Sequence, residues 1–317
     1  MRVLTIGGTQ FVGRHVVEQA VAAGHEVTVF HRGVSEPADL PAVEHVHGER
    51  DGGLAVLTGR TWDAVVDVCG YAPRIVRLSA NALADSVGRY CFISSESVYA
   101  EPFPSVVTED APLATLGAAQ GEWSWYGPLK VRCERVVETV FGDRALLVRP
   151  GYVVGPLDST DRFTSWVRRA SLGGSMLAPG SGEDILQFVD GRDLGAFVVR
   201  LLEGEASGAF NADGEPHSLA SFLASCAGVA GADTHVVWLA EERVRELHLE
   251  ELFPMWEGGD FARVVMDASK GRAAGLANRP ASETIGDTLS WDRERGLPPL
   301  KAGPTPEREA QLLSELG

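Results

Sequence analysis

The chain begins MRVLTIGGTQFVG, a short run of aliphatic and β-branched residues that ends in a glycine turn and passes straight into an amphipathic stretch. A strand, a tight turn and a helix N-terminus in that order confine the fold to a few α/β arrangements. They also leave the first backbone N–H groups of the helix facing outward, where an anion such as a pyrophosphate can meet them. Gly7 can take the turn off the strand, and Gly13 lets the helix pack close to the sheet. Val12, Val16, Val17, Ala20 and Val21 share one face at helical spacing, with Gly24 in the place of a C-terminal cap. A strand at 26–30 follows at once and closes a β-α-β unit of the size that holds a dinucleotide. Gly7, Thr9, Gln10, Phe11, Val12 and Gly13 are the candidate contacts to such a cofactor.

Short buried strands recur at 2–6, 26–30, 43–47, 64–68, 90–94 and 145–149 with helical stretches between them. Six strands in that rhythm predict an α/β fold, a Rossmann-type doubly wound parallel sheet over residues 1–150. Beyond Pro150 glycine and proline become frequent, and 151–182 reads as loops around one helix at 163–172. A strand at 185–189 and a helix at 193–203 predict that 183–203 returns to the sheet domain. The segments 151–182 and 204–317 read as a smaller mixed substrate-binding region, with helices near 219–229 and 241–252 and a charged terminal helix within 298–317.

The formal net charge of −16, from 28 basic and 44 acidic residues, repels a polyanion along most of the surface and argues against a nucleic-acid partner. No stretch approaches the length of a membrane span, and the turn at Gly7 interrupts anything like a signal peptide. A cytoplasmic protein with no membrane partner is expected, its oligomeric state open and a homodimer compatible with the sequence. Cys69, Cys91, Cys133 and Cys226 are scattered without a CxxC pair. His45 and His47 share one face of a strand, but no carboxylate or cysteine cluster joins them in sequence, so neither a disulfide nor a metal is expected.

The second strand ends Val29-Phe30-His31-Arg32. Folds of this kind that take NAD place an Asp or Glu here for the ribose hydroxyls, whereas an arginine suits the 2′-phosphate of NADP. Arg32 therefore predicts NADP, with NAD as the alternative. The fifth strand runs into Ser94-Ser95-Glu96-Ser97-Val98-Tyr99, and Tyr126-Gly127-Pro128-Leu129-Lys130 comes some thirty residues later. With the glycine turn, these pieces resemble the short-chain dehydrogenase/reductase superfamily, in particular its extended, NAD-dependent epimerase/dehydratase-like branch. Arg149-Pro150 through Gly155-Pro156, and Gln187-Phe188-Val189-Asp190 through Asp193, resemble later segments of that branch, so the likeness covers roughly residues 1–200.

The resemblance implies that Ser95, Tyr126 and Lys130 form the catalytic set, and the chemistry of the residues agrees. A tyrosine hydroxyl with an ordinary pKa of about 10 is a poor base at neutral pH, and Lys130 one helical turn away can supply the cation that stabilises its phenolate. Tyr126 can then exchange a proton with a substrate oxygen while Ser95 holds that oxygen. Glu96 is a further acidic candidate, either a proton donor or a solvated loop residue. Asp67, Cys69 and Gly70 end the fourth strand, where the family's backbone passes the cofactor ribose. Tyr71, Trp123 and Trp125 are candidate pocket residues.

Three departures from the family pattern stand out. Gln10 occupies the middle glycine of the Gly-x-x-Gly-x-x-Gly loop. Gly127-Pro128 falls inside the Tyr-x-x-x-Lys segment, which places the helix start at or just after Tyr126 and leaves that tyrosine less rigidly held. Leu186 stands where relatives acting on nucleotide-diphosphate sugars carry an arginine, which argues against such a substrate unless Arg162 or Arg168 substitutes. The resulting expectation is an NADP(H)-dependent oxidoreductase of a small metabolite carbonyl or alcohol. A nucleotide-sugar epimerase or dehydratase is the alternative, and a non-catalytic NAD(P)-binding regulator or RNA-binding protein comes third.

Overall fold

Seven parallel strands form the central sheet of the protein, seen in a computed structural model that describes residues 1–118 and 125–316. They are β1 (Arg2–Ile6), β2 (Glu26–His31), β3 (Glu44–His47), β4 (Trp62–Asp67), β5 (Val87–Ile93), and the strands Ala145–Pro150 and Gly208–Ala212. Their spatial order is Gly208–Ala212, Ala145–Pro150, β5, β4, β1, β2, β3, so the winding reverses between β1 and β4. Ile6 is in register with both Phe30 and Asp67, which sets the end of β1 at that reversal, where ligands of doubly wound sheets bind.

Strands covered on both faces must be apolar throughout, and Val3, Leu4 and Ile6 are accordingly buried. Alternation then divides them. Leu4 and Ile6 join the core with Val76 and Leu83 of α2 (Pro73–Leu83) and Cys133 and Val137 of α3 (Tyr126–Phe141). On the other side Val27 and Val29 meet Val17 and Ala20 of α1 (Phe11–Ala22) and Val199 of the helix Gly191–Glu203.

The chain divides into two compact units. The sheet unit comprises Met1–Val153, Gly191–Asp213 and Met266–Asn278. The second comprises Val154–Asp190, Gly214–Val265 and Arg279–Gly317. It contains the parallel pair Gly174–Pro179 and Thr234–Leu239 and the helices Arg162–Ser171, Leu219–Ala230 and Ala281–Glu294. Phe163, Phe188 and Phe222 form its aromatic centre.

The partition and its elements differ from the sequence expectation, which placed all of 204–317, Met266–Asn278 of the sheet unit included, in the substrate-binding region. Residues 183–190 belong to the second unit, and the return to the sheet begins at Gly191. The strand expected at 185–189 is two short strands, Ile185–Leu186 and Phe188–Asp190, broken at Gln187, whose amide donates to the Gly214 carbonyl. The seventh strand of the sheet, Gly208–Ala212, lies in a segment assigned to the C-terminal region, where no strand was expected. Its sequence, GAFNA, has too little β-branched or aromatic character to announce a strand, and its pairing with Ala145–Pro150 supplies what propensity does not. Among the described residues no helix is long and apolar enough to cross a membrane.

Candidate functional site

After β1 the chain turns through Gly7 and Gly8, both at positive φ, into α1. A Cβ on Gly13 would lie 2.7 Å from both the Cα and the N of Gly8, so α1 can sit on this turn only because residue 13 has no side chain. Gln10 precedes α1 in an extended conformation, makes no side-chain cap, and the first turn holds no acidic residue. The leading N–H groups of α1 thus have neither a capping side chain nor a competing carboxylate within that turn, the electrostatic condition for holding a phosphate.

A buried ion pair closes the end of β4. Asp67 is fully buried and accepts hydrogen bonds from Arg50 Nη1 (2.8 Å) and Nη2 (2.6 Å), Tyr90 Oη (2.9 Å) and the Cys69 amide (3.2 Å). A guanidinium at this depth must be paired, and Asp67 is its counter-ion. Cys69 donates to the Ile6 carbonyl, and burial pushes its thiol pKa up. Gly70 is buried against the Phe92 ring.

Ser95 opens a short 3-10 turn, Glu96–Val98, directly after β5. Its Oγ accepts the Ser97 N–H and donates to the Ser97 Oγ, each at 3.1 Å. α3 begins at Tyr126, with Gly127 and Pro128 in its first turn, where a missing backbone donor leaves no helix bond broken. A Cβ on Gly127 would fall 1.9 Å from the Ser97 carbonyl oxygen. The missing side chain at Gly127 lets the start of α3 press onto the Ser95 turn. One turn further on, Lys130 is 2% exposed and donates from Nζ to the Ile93 carbonyl at 2.9 Å. Its Nζ lies 4.8 Å from the Phe92 ring centroid, 5.0 Å from Tyr71 and 5.7 Å from Tyr126. Burial pushes the Lys130 pKa down, and Asp67 opposes that shift.

α3 is tied to the sheet by a pair that sequence reading passed over. Glu134 accepts both Arg149 Nε (2.9 Å) and Nη2 (2.8 Å), and Arg149 also donates to Tyr99 Oη and the Glu109 carbonyl, each at 3.2 Å. The sequence marks Arg149 only through its place in the Arg-Pro segment. The spacing from Glu134 gives no signal of the pair, because it joins a helix to a strand across the core.

Asp213 was also missed. It follows directly on the strand Gly208–Ala212, is 0% exposed, and among the described residues no side chain donates to either carboxylate oxygen. A Cβ on Gly151 would lie 2.4 Å from Asp213 Oδ1 and 2.7 Å from Glu96 Oε2, so the two carboxyl groups flank one backbone position. Burial pushes the Asp213 pKa up to about 7, against the pull of the Gly151 amide.

At the far edge of the sheet, β2 and β3 pair His31 with His47 and bring His45 onto the same face. Glu36 returns from the loop to accept from His47 Nε2. The Gly33 amide donates to His31 Nδ1 at 3.2 Å, which leaves Nε2 as the protonated nitrogen of neutral His31, donating to His45 Nδ1 at 2.8 Å. The carboxylate that sequence spacing did not place near these histidines is therefore present, within a hydrogen-bonded relay. Burial, followed by His45, pushes the His31 pKa down. Arg32 is exposed, and none of the described side chains pairs with it. Tyr71 and Trp125 are exposed as well, and Trp123 lies outside the described residues.

In the second unit Leu186 is buried, in a small cavity shared with Trp166, Asp184, Leu219 and Trp256. Arg168 is fixed to Asp292 by two hydrogen bonds of 2.6 Å and donates to the Pro298 carbonyl, so this guanidinium is committed to the unit's own packing.

Residues 72–212 match the model of the NAD-dependent epimerase/dehydratase family. The chain resembles the extended short-chain dehydrogenase/reductases. Among curated proteins it is 26% identical over 248 residues to the chloroplast stem-loop binding protein of 41 kDa b of Arabidopsis thaliana, covering 73% of this chain. It is 29% identical over 216 residues to 2'-dehydrokanamycin reductase of Streptomyces kanamyceticus, covering 65% of this chain. The alignments span 63% and 59% of those relatives' own lengths. The fold is shared with UDP-glucuronic acid 4-epimerase of Bacillus cereus in complex with NAD (TM-score 0.69, 16% identity, 93% of this chain and 99% of that one). It is shared too with the Bordetella bronchiseptica enzyme WbmG in complex with NAD and UDP (TM-score 0.71, 20% identity, 96% and 99%).

Proposed function

We propose that the protein is an NADP(H)-dependent oxidoreductase that interconverts a carbonyl and an alcohol on a small, partly apolar metabolite, with Ser95, Tyr126 and Lys130 as its working residues. The observation that carries this reading is the place of Lys130, a buried ammonium held by the Ile93 carbonyl within 5.7 Å of the Tyr126 ring centroid. A nicotinamide dinucleotide fits the cradle at the start of α1. Gly7, Thr9, Gln10, Phe11, Val12 and Gly13 would hold its pyrophosphate, and Arg32 its 2′-phosphate. When bound, such a dinucleotide supplies a hydride donor or acceptor.

Tyr126 would give its proton to the oxygen of a carbonyl substrate and recover it from the alcohol in the reverse direction. Lys130 stabilises the phenolate that this exchange creates, a Coulombic effect strengthened by its burial. The Ser95 hydroxyl would hold the substrate oxygen. Leu186 and the committed Arg168 support a substrate without a diphosphate, and the likeness to a reductase supports the reductive direction. The family match supports a second reading, an epimerase or dehydratase that returns the hydride to the same molecule. The net charge of −16 weighs against the nucleic-acid binding named for the chloroplast relative.

The test is turnover of added NADPH against a panel of carbonyl metabolites, with Tyr126→Phe as the control. The variant should slow the chemical step by about 10²–10⁴-fold while cofactor affinity is kept. Tightly retained NAD that is never consumed, together with micromolar binding of a UDP-sugar, would put the epimerase first. Near-normal turnover in Tyr126→Phe would remove Tyr126 from the assignment.

A further inference from the structure

Asp213 poses a specific electrostatic problem. A fully buried carboxylate with no donor side chain among the described residues has lost its hydration and received little in return, and such a group holds its proton rather than its charge. What faces it comes from three elements. The Gly151 amide follows the strand Ala145–Pro150, the Glu96 carboxyl comes from the turn after β5, and Asn278 Nδ2 donates to the Asp213 carbonyl at 3.2 Å. None of these is a cation. Because Asp213 Oδ1 and Glu96 Oε2 both crowd the point where a Gly151 Cβ would stand, they are separated by no more than the sum of 2.4 and 2.7 Å. Two carboxyl groups that close cannot both ionise cheaply, and one proton shared between them relieves the repulsion.

We infer that Asp213 is a positioning residue for Glu96: it carries a proton at neutral pH, donates it as a hydrogen bond to the Glu96 carboxylate across Gly151, and so holds a shared-proton acid beside Ser95. Burial alone already raises Asp213 to about 7, so the carboxyl is protonated at the position where it meets Glu96. Gly151 is part of the device, since any side chain there would enter the space that the two oxygens occupy. The pair carries one negative charge at neutral pH and gains a second as pH rises. Its consequence for turnover rests on the oxidoreductase reading, whereas its protonation does not.

Carboxyl carbon NMR on the full chain, labelled at Asp and Glu, tests the pair directly. One Asp resonance should titrate near neutrality, vanish in Asp213→Asn, and move its midpoint by a unit or more in Glu96→Gln. An Asp213 midpoint in the ordinary range near 4, or one indifferent to Glu96→Gln, overturns the proposal. Wild type and Glu96→Gln alone decide the matter if Asp213→Asn does not fold. With a substrate in hand, Asp213→Asn, which keeps a donor toward Glu96, should retain kcat at pH 7 within about threefold and lose the neutral inflection of the pH profile. Asp213→Leu should lose kcat. A chain that binds no cofactor or turns over no substrate would end the oxidoreductase reading and leave the NMR result standing.

Discussion

Gly127 lies so close to Ser97 that a Cβ on it would reach 1.9 Å from the Ser97 carbonyl oxygen. Alanine is the better helix former by about 1 kcal/mol, so on propensity alone Gly127→Ala should stabilise α3. The contact predicts the opposite, a loss of about 1–3 kcal/mol as α3 is pushed off the Ser95 turn. Urea unfolding decides between them, and a raised midpoint would show that the helix start does not press on Ser97.

Glu134 and Arg149 make a buried two-bond pair, and removing one partner strands the other. Glu134→Ala should cost roughly 3–5 kcal/mol, and Glu134→Gln, which keeps acceptor capacity for Arg149, clearly less. Equal losses in the two variants by denaturant titration would mean that volume, not the charge, is what matters there.

Asp213 gives a pH dependence of known sign. Its value in the folded protein is about 7 against an ordinary 3.8, so between those limits the folded state holds a proton the unfolded chain has released. Stability from this group is full below the lower limit, falls as pH rises through the window, and levels off above it. Asp213→Asn should therefore gain on wild type from pH 4 to pH 8 by an amount on the order of a few kcal/mol. A difference between the two that stays flat with pH would contradict the buried proton.

Arg32 is exposed and has no side-chain partner among the described residues, so its guanidinium is available to a 2′-phosphate. Arg32→Ala should weaken NADP(H) binding by roughly 1.5–3 kcal/mol and leave NAD(H) nearly unchanged. Calorimetric titration with both cofactors checks this, and equal losses would show that Arg32 does not choose between them.

Much of the sheet was legible because β-branched runs and glycine turns are local signals. β1, the glycine turn and α1 are found where the first thirteen residues put them. Gly208–Ala212 was not legible, since a strand of small residues is recruited by its neighbour's backbone rather than by its own side chains. The same division holds at the candidate site. Ser95, Tyr126 and Lys130 were visible as spaced motifs. Arg50, Glu134 and Asp213 were not, because each acquires its meaning from a partner brought near only by the fold. Asp67 shows the same limit: its position at a strand end is legible, while its pairing with Arg50, seventeen residues earlier, is not.

The sheet unit is assembled from three stretches of chain, the second of which carries its edge strand Gly208–Ala212. A fragment ending at Val153 would therefore leave the Ala145–Pro150 backbone with unsatisfied donors and acceptors along a bare flank, an invitation to pair with another copy. During synthesis the same bare flank lasts until residue 212 has left the ribosome, so the sheet unit cannot close this edge before Gly191–Asp213 is made.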